Sequence, residues 1–337
     1  MSTNIRVGII GGGRIGKLHA TNMTTRVSGV DVVAIADPFA NSALENWAVG
    51  WGIPKVLKEY KAILTDPDVD AVLICSPSNT HAAISQEAAL AKKHVFCEKP
   101  LDQNPEVVRE TLEVINKAKV VFQIGFNRRF DHNFRALRTA IADGSIGDIH
   151  LLCITSRDPE PPPLEYIRGS GGLFMDMAIH DFDMARFLTG SEVVKVHAAG
   201  AVLVNPEIGR EGDIDTAITT LWFENGALGV IDNSRRATYG YDQRAEVFGS
   251  KGCVSSLNDT PSTVRVSDAE CVRSDKPLFF FLERYAESFA EEIRDFVNAV
   301  NKNAEVPGAK DALNSVLIAH AAQKSLETGG PVDVKRG

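Results

Sequence analysis

Three ionisable residues in one short stretch hold much of the reactive chemistry of this sequence. Asp176, His180 and Asp183 fall at i, i+4 and i+7 within Gly-Leu-Phe-Met-Asp-Met-Ala-Ile-His-Asp-Phe-Asp, residues 172 to 183. On a single helix of 3.6 residues per turn their side chains share a narrow angular sector. A histidine flanked by carboxylates is poised to move a proton near neutral pH. Ser170-Gly171-Gly172 marks the start of that helix, and Leu173, Met177 and Phe187 supply an apolar stripe beside the polar one. An amphipathic helix with a solvated acidic face would show the same spacing, so the rest of the chain has to decide. Lys99 is the second candidate. It stands between the apolar run His94 to Cys97 and Pro100, which holds it more rigidly than a surface lysine. A fixed ammonium can stabilise negative charge on a reacting oxygen.

The elements that must position these groups begin with the apolar run Ile5 to Ile10, a buried strand leading straight into Gly11-Gly12-Gly13-Arg14-Ile15-Gly16. Gly11, Gly13 and Gly16 satisfy G-x-G-x-x-G, which supplies a tight turn, close backbone approach to a pyrophosphate and close helix-on-strand packing. The phosphates would lie at the N-terminus of the helix that begins near Gly13. A second apolar strand, Val30 to Ala36, ends in Asp37 about 20 residues on, the context that separates this fingerprint from an ordinary glycine turn. A carboxylate there accepts hydrogen bonds from ribose hydroxyls and repels a 2'-phosphate, so NAD is favoured over NADP. A plain turn residue before Pro38 is the alternative for Asp37.

Helix and strand patterns continue to alternate through Ala71 to Cys75, followed by the loop Ser76-Pro77-Ser78-Asn79-Thr80-His81 at a strand's carboxyl end, where doubly wound sheets bind ligands. His81 also reads as the first residue of a helix. After Val120 to Gly125 the pattern changes to strands at His150 to Ser156, Val193 to Val204, Asp215 to Glu224, Ala227 to Ser234, Arg244 to Phe248 and Cys253 to Leu257, separated by turns such as Glu224-Asn225-Gly226. The expected architecture is α/β. A Rossmann doubly wound parallel sheet occupies residues 1–125, and an α+β domain with an open, mostly antiparallel sheet occupies 126–337. The helices Tyr285 to Asn301 and Asp311 to Glu327 read as cover packing back on the first domain. Neither alternation of Asp215 to Phe223 is strongly polar, which calls for cover on both faces and predicts a homo-oligomer.

Composition narrows the class. The chain has 337 residues, 44% of them hydrophobic, enough for about two domains with sizeable cores. A formal net charge of −8 without basic runs argues against nucleic acid or an anionic membrane as partner. Cys75, Cys97, Cys153, Cys253 and Cys271 are scattered with no Cys-x-x-Cys pair, so neither a disulfide framework nor a metal site is expected. Residues 1–6 lack the apolar stretch of an export signal and no apolar run reaches spanning length, so a cytoplasmic protein is expected.

Gly11-x-Gly13-x-x-Gly16, Ser76-Pro77 with Thr80-His81, Glu98-Lys99-Pro100, and Gly172 through His180 together resemble the glucose-fructose oxidoreductase/inositol dehydrogenase/rhizopine catabolism (Gfo/Idh/MocA) family over essentially the whole chain. The resemblance implies an NAD-dependent oxidoreductase acting on a secondary alcohol, with His180 taking the proton, Asp176 orienting it and Lys99 hydrogen-bonding the reacting oxygen. It implies cofactor contacts from Gly11, Gly13, Arg14, Ile15, Gly16, Asp37, Ser76, Pro77, Asn79, His81, Glu98 and Lys99, and a Lys99-Pro100 bond that is commonly cis. Within the family, Arg128-Arg129-Phe130-Asp131, Ser156-Arg157-Asp158-Pro159 and Tyr239-Gly240-Tyr241-Asp242 look most like members that oxidise inositols. Asn127, Arg129, Arg157, Asp183, Tyr239 and Tyr241 would then bind a polyol, and the implied reaction is oxidation of myo-inositol to its 2-keto product by a tetramer. Arginine at 157, where inositol-specific members often have histidine, leaves the stereoisomer open, with a glucose or other aldose dehydrogenase and a non-catalytic NAD-binding sensor as alternatives.

Overall fold

The computed structural model describes residues 4–302 and 304–335; Met1 to Thr3, part of the segment read for an export signal, lie outside them. Along the chain run β1 (Ile5–Ile10), α1 (Arg14–Thr25), β2 (Val30–Ala36), α2 (Ser42–Gly50), β3 (Val56–Leu57), α3 (Lys61–Thr65), β4 (Ala71–Ile74), α4 (His81–Leu90), β5 (His94–Glu98), α5 (Pro105–Ala118) and β6 (Phe122–Gly125). There follow α6 (His132–Ala142), β7 (Ile149–Arg157), α7 (Leu164–Ser170), α8 (Gly172–Asp176), α9 (Ile179–Thr189), β8 (Val193–Ala201), α10 (Pro206–Arg210), β9 (Thr216–Phe223), β10 (Leu228–Ser234), β11 (Asp242–Gly249) and β12 (Gly252–Ser256). A hairpin of β13 (Arg265–Ser267) and β14 (Val272–Ser274) precedes α11 (Phe281–Arg284), α12 (Ala286–Lys302), α13 (Ala309–Thr328) and β15 (Val332–Asp333).

Two compact units result, one of residues up to Phe130 with Glu287–Val316, the other of Asp131–Ala286 with the residues from Leu317 on. The first is built on a six-stranded sheet in the order β3-β2-β1-β4-β5-β6, every pairing parallel. Its strands are largely apolar because helices cover both faces; all four residues of β4 are fully buried. Helix α12 buries Ala290, Ile293, Phe296 and Val297 in the core that includes Ile9, Ile35, Leu73 and Phe96. Strand order reverses between β1 and β4, which opens a crevice beyond their carboxyl ends.

The second unit carries a seven-stranded sheet, β12-β11-β7-β10-β9-β8-β15, antiparallel throughout except where β10 runs parallel to β7. One face, with Leu152, Ile154, Leu221, Phe223, Ile231 and Val247, is buried and α9 packs against it. The other leaves Leu151, Ile218, Leu228 and Phe248 between 40% and 48% exposed. Two expectations need correction. The last helix is not cover for the first unit along its whole length, since from Leu317 it belongs to the second, where Ser325 Oγ accepts the Ala198 N–H at 2.9 Å. Residues 172 to 183 form two helices, not one: the N–H groups of Met177 and Ala178 both reach Leu173 O, at 3.0 and 2.9 Å. The i→i+5 bond widens the turn and resets the helical phase, so Asp176 ends α8 while His180 and Asp183 lie on α9.

Candidate active site

In the first unit the glycine fingerprint lies at the sheet's switch point. Gly11 has φ +107°, and a Cβ there would lie 2.6 Å from the Cys75 carbonyl; one on Gly16 would lie 1.9 Å from Gly11 O. Both positions therefore exclude any side chain, which lets β1, β4 and α1 close on one another around the turn. Helix α1 starts after Gly13 with no side-chain cap and no acidic residue in its first turn. Its amino-terminal N–H groups and positive dipole end suit an anionic diphosphate. Gly13 and Arg14 are exposed beside that end and Ile15 is half-buried. Asp37 Oδ2 accepts the Gly12 N–H and Oδ1 the Phe39 N–H, each at 2.8 Å, so the carboxylate is fixed at the rim with lone pairs left for ribose hydroxyls. These features fit a bound NAD.

The loop after β4 is equally ordered. Ser76 Oγ lies 2.6 Å from Thr80 Oγ1, which donates to Pro77 O, and Asn79 is exposed on that turn. His81 is only 1% exposed, with Nδ1 2.8 Å from Pro100 O and Nε2 2.8 Å from Ser76 O. Two carbonyl acceptors require two N–H donors, so the ring is an imidazolium tying the Ser76 loop to the Lys99-Pro100 turn. Burial works against that charge, but the adjacent Cys97 sulfur and both carbonyls outweigh it and raise the pKa to about 9. The Lys99-Pro100 bond is cis. Glu98, at the end of β5, lies 2.7 Å from Nε2 of the buried His19. Asn127 and Arg129 occupy the 3-10 turn after β6; Asn127 is buried and Arg129 Nη2 donates to Asp311 Oδ1 at 2.7 Å.

In the second unit Asp176 is half-buried and doubly held. Tyr166 Oη donates to Oδ1 at 2.8 Å, and Arg235 Nη1 approaches Oδ2 at 3.3 Å. Arg235 is fully buried, and its Nη2 is 3.5 Å from Asp213 Oδ2. Asp213 Oδ1 in turn accepts the Leu173 N–H at the head of α8, at 2.9 Å. His180 is half-buried near the start of α9, and Asp183, 1% exposed, is 3.7 Å from Arg186. The structure brings Arg157 and Tyr239 together, Nη1 to Oη at 3.1 Å, and pairs Arg157 with Asp232 and Tyr239 with Asp242. Burial first, then the Asp242 carboxylate, raises the Tyr239 phenol above its ordinary value. Tyr241 lies elsewhere, 5% exposed and edge-on to Phe280 and Tyr285.

Tyr166, Arg235, Asp213 and His19 were not singled out from sequence. Arg235 looks like its neighbour Arg236, and only the fold makes one buried and the other exposed. Among the described residues two clusters have the residue types of metal ligands, His19 with Glu98 and Glu292, and Asp131 with His132 and Asp259. In the second, Arg284 pairs with Asp131 and Asp259 and already neutralises them. Among the described residues no helix is long and apolar enough to cross a membrane.

Comparison with known proteins shows the family. Residues 5–126 match the oxidoreductase family with an NAD-binding Rossmann fold, and residues 134–255 match the GFO/IDH/MocA C-terminal domain. The chain is 53% identical to the uncharacterised oxidoreductase YrbE of Bacillus subtilis, over 99% of this chain and 98% of that one. It is 50% identical to a myo-inositol 2-dehydrogenase of Thermotoga maritima, over 96% of each. The crystal structure of scyllo-inositol dehydrogenase from Lactobacillus casei with bound NAD(H) and scyllo-inositol superposes with a TM-score of 0.91 at 33% identity, covering 98% of this chain and 99% of that one. Matched by family models over both of its units and by these relatives along nearly its whole length, the chain belongs to the Gfo/Idh/MocA family of NAD-dependent oxidoreductases.

Proposed function

We propose that the protein oxidises myo-inositol to the 2-keto product, scyllo-inosose, at the expense of NAD. The observation that carries the reading is the 50% identity, over 96% of both chains, to a myo-inositol 2-dehydrogenase, in a chain that holds Lys99, Asp176 and His180 in their expected motifs. NAD, held at the glycine turn and by Asp37, would supply the acceptor for the hydride of the alcohol carbon. The alcohol proton must leave as well, and His180 takes it as general base. Asp176 orients and polarises His180, and Tyr166 with Arg235 holds the Asp176 carboxyl group in place. Lys99 donates to the reacting oxygen and stabilises the charge that builds there.

Asn127, Arg129, Arg157, Asp183, Tyr239 and Tyr241 are proposed to supply or back the partners that a neutral polyol needs, since many convergent hydrogen bonds substitute for a charge anchor. Arg14, Ile15, Asp37, Ser76, Pro77, Asn79, His81, Glu98 and Lys99 are proposed to contact or frame the cofactor with Gly11, Gly13 and Gly16. The half-exposed apolar face of the second sheet supports assembly with further copies of the chain, as a tetramer. Arg157 favours a second reading, scyllo-inositol as the preferred isomer, because a guanidinium held by Asp232 and Tyr239 presents a different donor set from a histidine. Initial rates of NADH formation with myo-inositol, scyllo-inositol and D-glucose test both. A dominant myo-inositol rate is expected, a dominant scyllo-inositol rate selects the second reading, and a dominant glucose rate overturns both.

A further inference from the structure

Beneath the Glu98-Lys99 turn lies a set of buried groups that the proposed reaction leaves unexplained. His19, on α1, is fully buried between Phe96 and Phe289, whose rings meet it edge-on at centroid distances of 5.4 and 5.7 Å. Its Nε2 lies 2.7 Å from Glu98 Oε1 and 3.9 Å from Glu292 Oε1, while its buried Nδ1 has no hydrogen-bond partner. Glu292, on α12, is also fully buried, and neither carboxyl oxygen has a partner; its backbone carbonyl accepts from Gln123 Nε2 at 3.0 Å. On its other side Glu98 fits against Gly125, where a Cβ would come 3.0 Å from Glu98 Oε2.

The protonation states follow from these contacts. An imidazolium would bury an Nδ1–H with no acceptor, which costs the full desolvation of that donor. His19 is therefore neutral, with its single proton on Nε2 donated to Glu98. Burial first, then the Glu98 charge, pushes the Glu292 carboxyl well above the usual carboxylate range, so Glu292 is the neutral acid and Glu98 carries the negative charge. The Cys75 thiol, on the segment after β4, also lies near the cluster and is pushed up by burial and then by the Glu98 charge.

We propose that His19 is a positioning residue: a neutral imidazole whose Nε2–H locks the Glu98 carboxylate against Gly125 and thereby fixes Lys99, the next residue, toward the reacting oxygen, with Glu292 behind it as a neutral acid that leaves Glu98 the one charge of the cluster. The helix whose first turn receives the diphosphate is the helix that carries His19, so cofactor seating and lysine placement share one rigid element. The proposal rests on the role assigned to Lys99 above.

The test compares His19→Leu, which keeps bulk and removes the donor, with His19→Gln, whose amide N–H can replace Nε2–H, and with Glu292→Gln, a neutral isostere of the acid. Steady-state rates with NAD and the inositols, thermal unfolding and metal content are measured on each purified full-length protein. Expected are a kcat at least tenfold lower for His19→Leu with KM for NAD changed less than twofold, recovery to within threefold of the parent in His19→Gln, and Glu292→Gln within twofold. A side chain that only filled space would not follow the donor in this way. The proposal is overturned if His19→Gln falls as far as His19→Leu, if Glu292→Gln loses tenfold, or if the parent carries a stoichiometric metal that these substitutions release. A parent protein inert on every polyol would sink the proposed reaction alone. The proposal is then decided by nitrogen-15 imidazole shifts in the NADH-bound protein at pH 7.5, where an Nε2–H tautomer at His19 supports it and an Nδ1–H tautomer or imidazolium overturns it. That spectrum also serves if His19→Leu does not fold.

Discussion

The two units anchor their functional groups in different ways. In the first, polar side chains are fixed largely by backbone: Asp37 by the N–H groups of Gly12 and Phe39, His81 by the carbonyls of Ser76 and Pro100. In the second they are fixed largely by one another, Asp176 by Tyr166 and Arg235, Arg157 by Asp232 and Tyr239, Asp242 by Tyr239 and Arg244. Backbone partners come with the local fold and tolerate changes elsewhere. Side-chain partners depend on one another's placement, and losing the buried Arg235 would leave Asp176 and Asp213 without their cation.

The comparison can be broken or sharpened by substitution. The largest effect is expected for His180→Ala, which should cost about 10³-fold or more in kcat, the upper range for a general base, and leave NAD affinity within about twofold. Stopped-flow turnover beside NADH fluorescence titration checks the pair, and normal turnover would refute the assigned base. Arg235→Met should come next, because it strips Asp176 and Asp213 of their buried cation. A loss of about 3–5 kcal/mol in urea unfolding is expected, against less than about 0.5 kcal/mol for the neighbouring, exposed Arg236→Met. Equal losses would erase the distinction between the units.

His81 makes the backbone-anchored side testable by pH. Its folded pKa of about 9 lies above the ordinary 6.5, so its contribution is fully present below pH 6.5 and disappears as pH rises through 9. That span corresponds to about 3 kcal/mol, and His81→Gln should flatten the stability curve over that window; a parent protein whose stability does not decline between pH 6.5 and 9.5 would rule the imidazolium out. A smaller effect, about tenfold, is expected from Asp37→Ala on the ratio of kcat/KM for NAD to that for NADP. Unchanged discrimination would show that another group selects the cofactor. The smallest effect on the single chain belongs to Ile218→Lys on the open sheet face, within about 0.5 kcal/mol of the parent. Sedimentation should nevertheless show the assembly weakened, and an unchanged oligomer would exclude that face as the contact.

Much of the first unit was legible because its information is local. A strand, three glycines, a helix and Asp37 sit within 33 residues, Ile5 to Asp37, and Gly11 and Gly16 are dictated by clashes one strand and a few residues away. The strands of the second sheet were legible from alternation and turns, yet the residues that hold Asp176 were not. Arg235 follows it by 59 positions, and nothing in Ser234-Arg235-Arg236 marks which arginine turns inward. The i, i+4, i+7 spacing suggested one helix, whereas the turn at Leu173 to Ala178 widens by a residue, a backbone choice that spacing cannot encode.

What the sequence determined by itself was the α/β class and the NAD-binding Rossmann unit with its glycine turn and rim carboxylate. These follow from periodicity, glycine sterics and residue chemistry acting over a few turns of chain. The tertiary structure alone decided that His81, the first residue of α4 as its sequence suggested, is buried with both ring nitrogens on carbonyls, that His19 and Glu292 stand behind Glu98, and that Arg235 guards Asp176. Protonation and burial depend on what approaches from the other elements, and a linear pattern cannot state those distances.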